Sequence, residues 1–111
     1  MGRGSRMRKA GVVMVVTTLA LGVSVAQAGG GTVKASNYKF APKTLTITKG
    51  SKVTWNWVNG SHTVTFVKGT FNKSLNSTHP HVSRTFANPG TYKYYCTFHK
   101  SLGMTGTIIV N

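Results

Sequence analysis

Apolar and polar residues alternate in short blocks along this chain, and the blocks are separated by turn-forming residues. "TLTIT" sets Leu45 and Ile47 between threonines, and "KVTWNW" sets Val53, Trp55 and Trp57 between polar side chains. "HTVTF" puts His62, Val64 and Phe66 on one parity and Thr63 and Thr65 on the other. A two-residue period gives each strand one apolar face, so these segments predict half-buried strands with both tryptophans in the core. The breaks Lys49-Gly50-Ser51, Asn59-Gly60-Ser61 and Asn88-Pro89-Gly90 have turn composition, "GTYKYYC" and "TGTIIVN" supply two further strands, and Lys34 is expected in the first strand of the domain. The segment from Lys68 to Pro80 lacks alternation and reads as a long polar connection with at most a short turn of helix. There is no helical period and no internal repeat. Many short strands at this spacing predict an all-β sandwich or barrel.

The N-terminus breaks the pattern. Arg3, Arg6, Arg8 and Lys9 precede an uncharged apolar run from Ala10 to Val25, which ends in Ala26-Gln27-Ala28. Basic, apolar and small-residue regions in that order predict a secretory signal peptide over residues 1–28, cleaved after Ala28, with one domain over 29–111. The apolar run is shorter than the roughly 20 residues of a membrane span. No cysteine follows the cleavage site to take a lipid, and no paired arginines support twin-arginine export. The expected destination is the periplasm or another extracytoplasmic space, the thylakoid lumen included.

Charge sharpens the picture. The 111 residues carry fourteen Lys and Arg and no Asp or Glu, a formal charge of +14. Loss of the leader's four basic residues leaves +10 on 83 residues. An ordinary composition has about one acidic residue in eight, so their absence is a feature in itself. It implies an anionic partner or surface, such as a membrane or cell wall, or an acid medium in which carboxylates serve little. The cations Lys34, Lys39, Lys43, Lys49, Lys52, Lys68, Lys73, Arg84, Lys93 and Lys100 are expected to be solvated at strand edges and turns.

Candidate chemistry sits near the C-terminus. Cys96 is the chain's one cysteine, so it has no disulfide partner within it. By strand parity Cys96 shares a face with Tyr92 and Tyr94, and His62 shares one with Val64 and Phe66, so both point inward at strand ends. The loop Thr97 to Gly103 can return His99 to the same space, and Met104 opens the last strand. Two imidazoles, a thiolate and a thioether are the donor set of blue-copper sites. His79 and His81, in "THPH", face the same way and read as a solvated loop in preference to an accessory metal site.

From about Thr32 to Asn111 the chain resembles the plastocyanin-like cupredoxins, through "YKFAPKTLTITKGSKVTWNWVNGSHTVTF" and "FANPGTYKYYCTFHKSLGMTGTIIV". The C-x2-H-x4-M spacing is similar to that of plastocyanins and pseudoazurins, not to the shorter amicyanin or longer azurin loops. The resemblance implies a Greek-key sandwich of about eight strands, one type 1 copper ion on His62, Cys96, His99 and Met104, and outer-sphere electron transfer without catalysis. It also implies a docking patch where His99 reaches the surface among Phe98, Leu102, Gly103 and Pro42. Asn59 or Thr63, and backbone amides near Cys96, are expected to support the ligands. Asn88, Lys93 and Lys100 stand where relatives are often acidic or proline, and the acidic recognition patch of plant plastocyanins cannot exist here. The expected partners are therefore redox proteins with an acidic docking surface, met by a monomer.

Other classes compete. A periplasmic copper chaperone or scavenger uses the same donors but would expose them for handover. A basic β-barrel that binds nucleic acid fits the charge and aromatics, against the leader and the ligand loop. A metal-free matrix module is the plainest alternative, and copper content separates it from the rest.

Overall fold

The computed structural model describes Ser24–Ala26 and residues 29–111. The apolar leader expected over 1–28 lies outside the described residues except for that short strand. Ten strands follow in order: β1 Ser24–Ala26, β2 Gly31–Ser36, β3 Lys39–Ala41, β4 Thr44–Ile47, β5 Ser51–Trp57, β6 His62–Phe66, β7 Asn72–Leu75, β8 His81–Phe86, β9 Gly90–Tyr95 and β10 Thr105–Val110. One sheet has the order β1-β4-β10-β9-β6-β7 and the other β3-β2-β5-β8. Both are mixed, with parallel pairs β1/β4, β4/β10 and β2/β5. The expected all-β sandwich is present, with ten described strands where about eight were expected. Among the described residues no helix is long and apolar enough to cross a membrane.

Alternation explains most of it. Leu45 and Ile47, Tyr94, and Ile108 and Val110 turn inward from the larger sheet and meet Val33, Phe40, Val53, Trp55, Val82 and Phe86 from the smaller one. Trp55 lies at the centre, edge-on to Phe66 and Tyr94 with ring centroids 5.9 and 5.3 Å away. Such aromatic edges add to the area each ring removes from water.

Four expectations need correction. Strand β7 lies inside the stretch read as irregular; it borders only β6, and three of its four residues are exposed, so no apolar alternation marks it. Thr63 and Thr65 are buried along with the rest of β6, because their hydroxyls find partners there. Trp57 is half-buried; its indole N–H donates to the Gly60 carbonyl at 2.6 Å. Arg84 is not solvated at an edge but half-buried, its guanidinium 4.3 Å from the centroid of the Phe66 ring.

Candidate metal centre

The centre lies where three neighbouring strands of the larger sheet end together. His62 opens β6, Cys96 follows β9 directly, and Met104 immediately precedes β10, so ladder pairing brings all three to one edge of the sandwich. His62, Cys96 and Met104 are buried, with exposures of 1%, 0% and 0%. His99 is half-buried. The Cys96 sulfur is 3.8 Å from His62 Nδ1 and 3.5 Å from His99 Nδ1. The three ligand atoms all lie within 4.8 Å of one another, and this is the one such group of His and Cys among the described residues.

Local sequence fixes each side chain. The segment between Cys96 and Met104 closes on itself, with Cys96 N–H donating to Met104 O at 3.1 Å and Met104 N–H to His99 O at 3.2 Å. A 3-10 turn over Lys100–Leu102 ends at Gly103, whose φ of 85° is left-handed and suits glycine. Thr97 N–H donates to Thr63 Oγ1 at 2.9 Å, pinning the residue after the cysteine to β6. Thr63 shares a further 2.9 Å hydrogen bond with Thr65, whose hydroxyl donates to Asn72 on β7, also at 2.9 Å. A chain of hydroxyls therefore lies behind the loop. That chain accounts for the two buried threonines.

His62 is held in a ligating tautomer. Its Nε2 is 2.6 Å from the Asn59 carbonyl oxygen, which can only accept, so Nε2 carries the hydrogen and Nδ1 presents a lone pair toward the sulfur. Burial pushes the His62 pKa below its ordinary value, the Asn59 carbonyl partly opposes this, and His99 adds to the lowering. Neutral imidazole is the form a metal needs. Gly60 makes the approach possible: its φ is 83°, and a Cβ there would run into the Asn37 carboxamide and come within 2.9 Å of His62 Nε2.

Asn59 thus supports the site as expected, but through its backbone; its side chain accepts the Asn37 N–H at 2.8 Å. Thr63 serves the cysteine loop and not His62. Phe98 and Leu102 flank His99 with exposures of 63% and 61%, and Pro42 and Gly103 line a shallow pocket beside it with Lys39, Phe40, Ala41, Lys43 and Thr105. Tyr38 was missed by sequence reasoning. It sets its half-exposed ring edge-on to His99, centroids 4.6 Å apart, and no pattern in the chain links two residues so far apart in sequence. His79 and His81 lie apart from the group, with Nδ1 atoms 3.2 Å from Thr78 Oγ1 and 2.8 Å from Asn56 Oδ1.

Two imidazole nitrogens converging on a buried thiol, with a buried thioether residue beside it, suit a cation that accepts both soft and borderline donors. No carboxylate is available to make a hard-cation site.

Comparison with known proteins gives a concordant result. Residues 29–111 match the family model for copper binding proteins of the plastocyanin/azurin family. Plastocyanin of Prochlorothrix hollandica is 38% identical over 114 residues, which cover 89% of this chain and 86% of that protein. Plastocyanin of Dryopteris crassirhizoma is 31% identical over 94 residues, 69% of this chain and 92% of that one. The solved structure of a purple cupredoxin from Nitrosopumilus maritimus superposes with a TM-score of 0.65 at 26% identity, covering 73% of this chain and 99% of its own.

Proposed function

Because the chain belongs to the plastocyanin/azurin family of copper-binding proteins and has copper as its cofactor, we propose that it is an exported carrier of single electrons, with His62, Cys96, His99 and Met104 as ligands of one type 1 copper ion. The observation that carries this reading is the approach of both Nδ1 atoms to one buried sulfur, at 3.8 and 3.5 Å. Copper held there supplies the one-electron chemistry, alternating between Cu(II) and Cu(I).

The chain's part is to hold donors still and to offer a way in. His62 is locked by the Asn59 carbonyl, and Cys96 by the backbone closure to Met104, so the donor atoms have little freedom to move as charge arrives. His99 alone of the four is half-buried, and its ring is the route to a partner docked on Tyr38, Phe98 and Leu102. The partners are redox proteins with an acidic docking face, drawn by a surface that carries lysines and no carboxylate. No catalysis is assigned, and the carrier acts as a monomer outside the cytoplasm. Export with cleavage after Ala28 removes Ser24–Ala26 and leaves β4 at the edge of its sheet.

An absorption spectrum of the copper-loaded protein tests the reading. An intense blue sulfur-to-copper band is expected, absent from Cys96→Ser. A serine variant that stays blue, or a wild type that binds zinc and never copper, would falsify the ligand assignment. The chaperone reading requires open, exchangeable donors, and rapid loss of copper to a weak chelator would favour it.

A further inference from the structure

The described residues contain one arginine among nine lysines, and it is placed unlike any of them. Every lysine is exposed, whereas Arg84, on β8, is half-buried beneath a set of aromatic rings. Its Cζ lies 4.3 Å from the centroid of Phe66, 4.8 Å from Phe86, 5.2 Å from Phe71 and 5.5 Å from Tyr92. Guanidinium is planar and weakly hydrated, so it stacks on rings where an ammonium would not. Ring faces do not satisfy its hydrogens: Nη1 has no hydrogen-bond partner and is closed to solvent and ligand alike, so only the remainder of the half-buried side chain can meet a ligand. A buried donor left unpaired costs free energy, more so when charged.

No side chain of this protein can give the guanidinium a carboxylate counter-charge, since there is no Asp or Glu. The C-terminal residue is engaged elsewhere: Asn111 is bonded to Ile47 and Lys49, on the β4 side of β10 and away from β6. Beside Arg84 is a cleft of about 510 Å³. It forms where the chain departs from β9 after the Val67 N–H to Lys93 O bond of 2.9 Å. Phe66, Val67 and Tyr92 give it apolar walls, and Lys68, Arg84 and Lys93 give it three cations.

The geometry points to a binding site in this cleft for a small organic carboxylate with a flat or apolar body, its carboxylate on Arg84 between Lys68 and Lys93 and its body against Phe66, Val67 and Tyr92. A bare inorganic anion would leave the apolar walls wet, and a neutral aromatic would leave the guanidinium unpaired. The site is separate from the metal centre. Phe66 is four residues along β6 from His62, about 13 Å at the rise of a strand.

Benzoate, titrated at constant ionic strength into the copper-loaded full-length protein and followed by calorimetry and amide NMR shifts, tests the assignment. Saturable binding is expected, with shifts at Arg84, Tyr92 and Lys93, and about tenfold weaker binding of benzamide, which keeps the ring and lacks the charge. Arg84→Met, which keeps the packing volume, is expected to weaken benzoate roughly tenfold, and Lys68→Gln or Lys93→Gln severalfold less. If Arg84→Met does not fold, Arg84→Lys keeps the charge, removes the fork and should still weaken binding. Binding undiminished in the arginine variant that folds, equal binding of benzamide, or no saturable binding would overturn the site. Phosphate binding as tightly as benzoate would overturn the ligand class. The blue band reports the metal centre independently; it should be unmoved by benzoate and by the lysine variants, so failure here and failure of the electron-carrier reading are distinguishable.

Discussion

Single atoms decide whether this site can bind copper at all. The Asn59 carbonyl turns His62 so that Nδ1 faces the sulfur, and it reaches Nε2 because residue 60 is glycine with a φ of 83°. Gly60→Ala meets both a left-handed backbone and the Asn37 carboxamide, and is expected to cost about 1–3 kcal/mol in the copper-free protein, read by urea denaturation, with weaker copper uptake besides. Met104 makes a different prediction. As a ligand, the Met104 thioether would be the weakest of the four donors and would tune potential more than affinity, so Met104→Leu should keep copper and colour while raising the potential, since its loss disfavours Cu(II). Voltammetry showing an unchanged potential would reduce Met104 to packing.

Elements set the rigidity around those atoms. The loop from Cys96 to Met104 is closed by its own backbone and pinned to β6 through Thr63, which in turn leans on Thr65 and Asn72. Thr63→Val leaves the Thr97 N–H without its acceptor and should destabilise the protein by about 1–2 kcal/mol, whereas Thr65→Val, which removes the Thr63–Thr65 bond and frees the carboxamide oxygen of exposed Asn72 but leaves Thr97 N–H bonded to Thr63, should cost less. Equal costs would show that the hydroxyl chain does not hold the loop. The N-terminal strand carries its own prediction: mass spectrometry of the exported protein should find Gly29 as the first residue, with β1 gone.

Charge acts on the molecule as a whole. With no acidic side chains, acid reaches this fold only through histidines and chain termini. The folded copper-free state lowers the His62 pKa from 6.5, so the unfolded chain takes up that proton first. Stability should therefore be full above about pH 6.5, decline as pH falls toward the lowered folded value, and show none of the carboxylate losses that unfold ordinary domains between about pH 5 and 2. Denaturation curves at pH 8, 6, 4 and 2 check this, and an early acid transition retained in His62→Gln would contradict it. On the proposed function the same charge would steer partners. Lys100, whose Nζ lies 4.5 Å from the Tyr95 ring centroid, adjoins His99, whereas Lys34 lies on β2. Lys100→Glu should slow electron transfer to an acidic partner far more than Lys34→Glu, and salt should slow the wild type as the Debye length falls below about 10 Å.

Residue order alone determined the strands with clear alternation and the inward parity of Cys96 and His62, because a period of two is a local property that any extended chain obeys. Spacing from Cys96 to Met104 was likewise legible, since one loop carries it. What the tertiary structure decided is what no apolar period marks: Tyr38 on His99, the pairing that makes a strand of Asn72–Leu75, the burial of Arg84, and, within a single turn, the aim of the Asn59 carbonyl at His62 three residues on. Each of these residues carries the composition of a solvated turn or edge. Only packing two sheets face to face brings the Tyr38 ring and the Arg84 guanidinium within reach of partners that no local pattern announces.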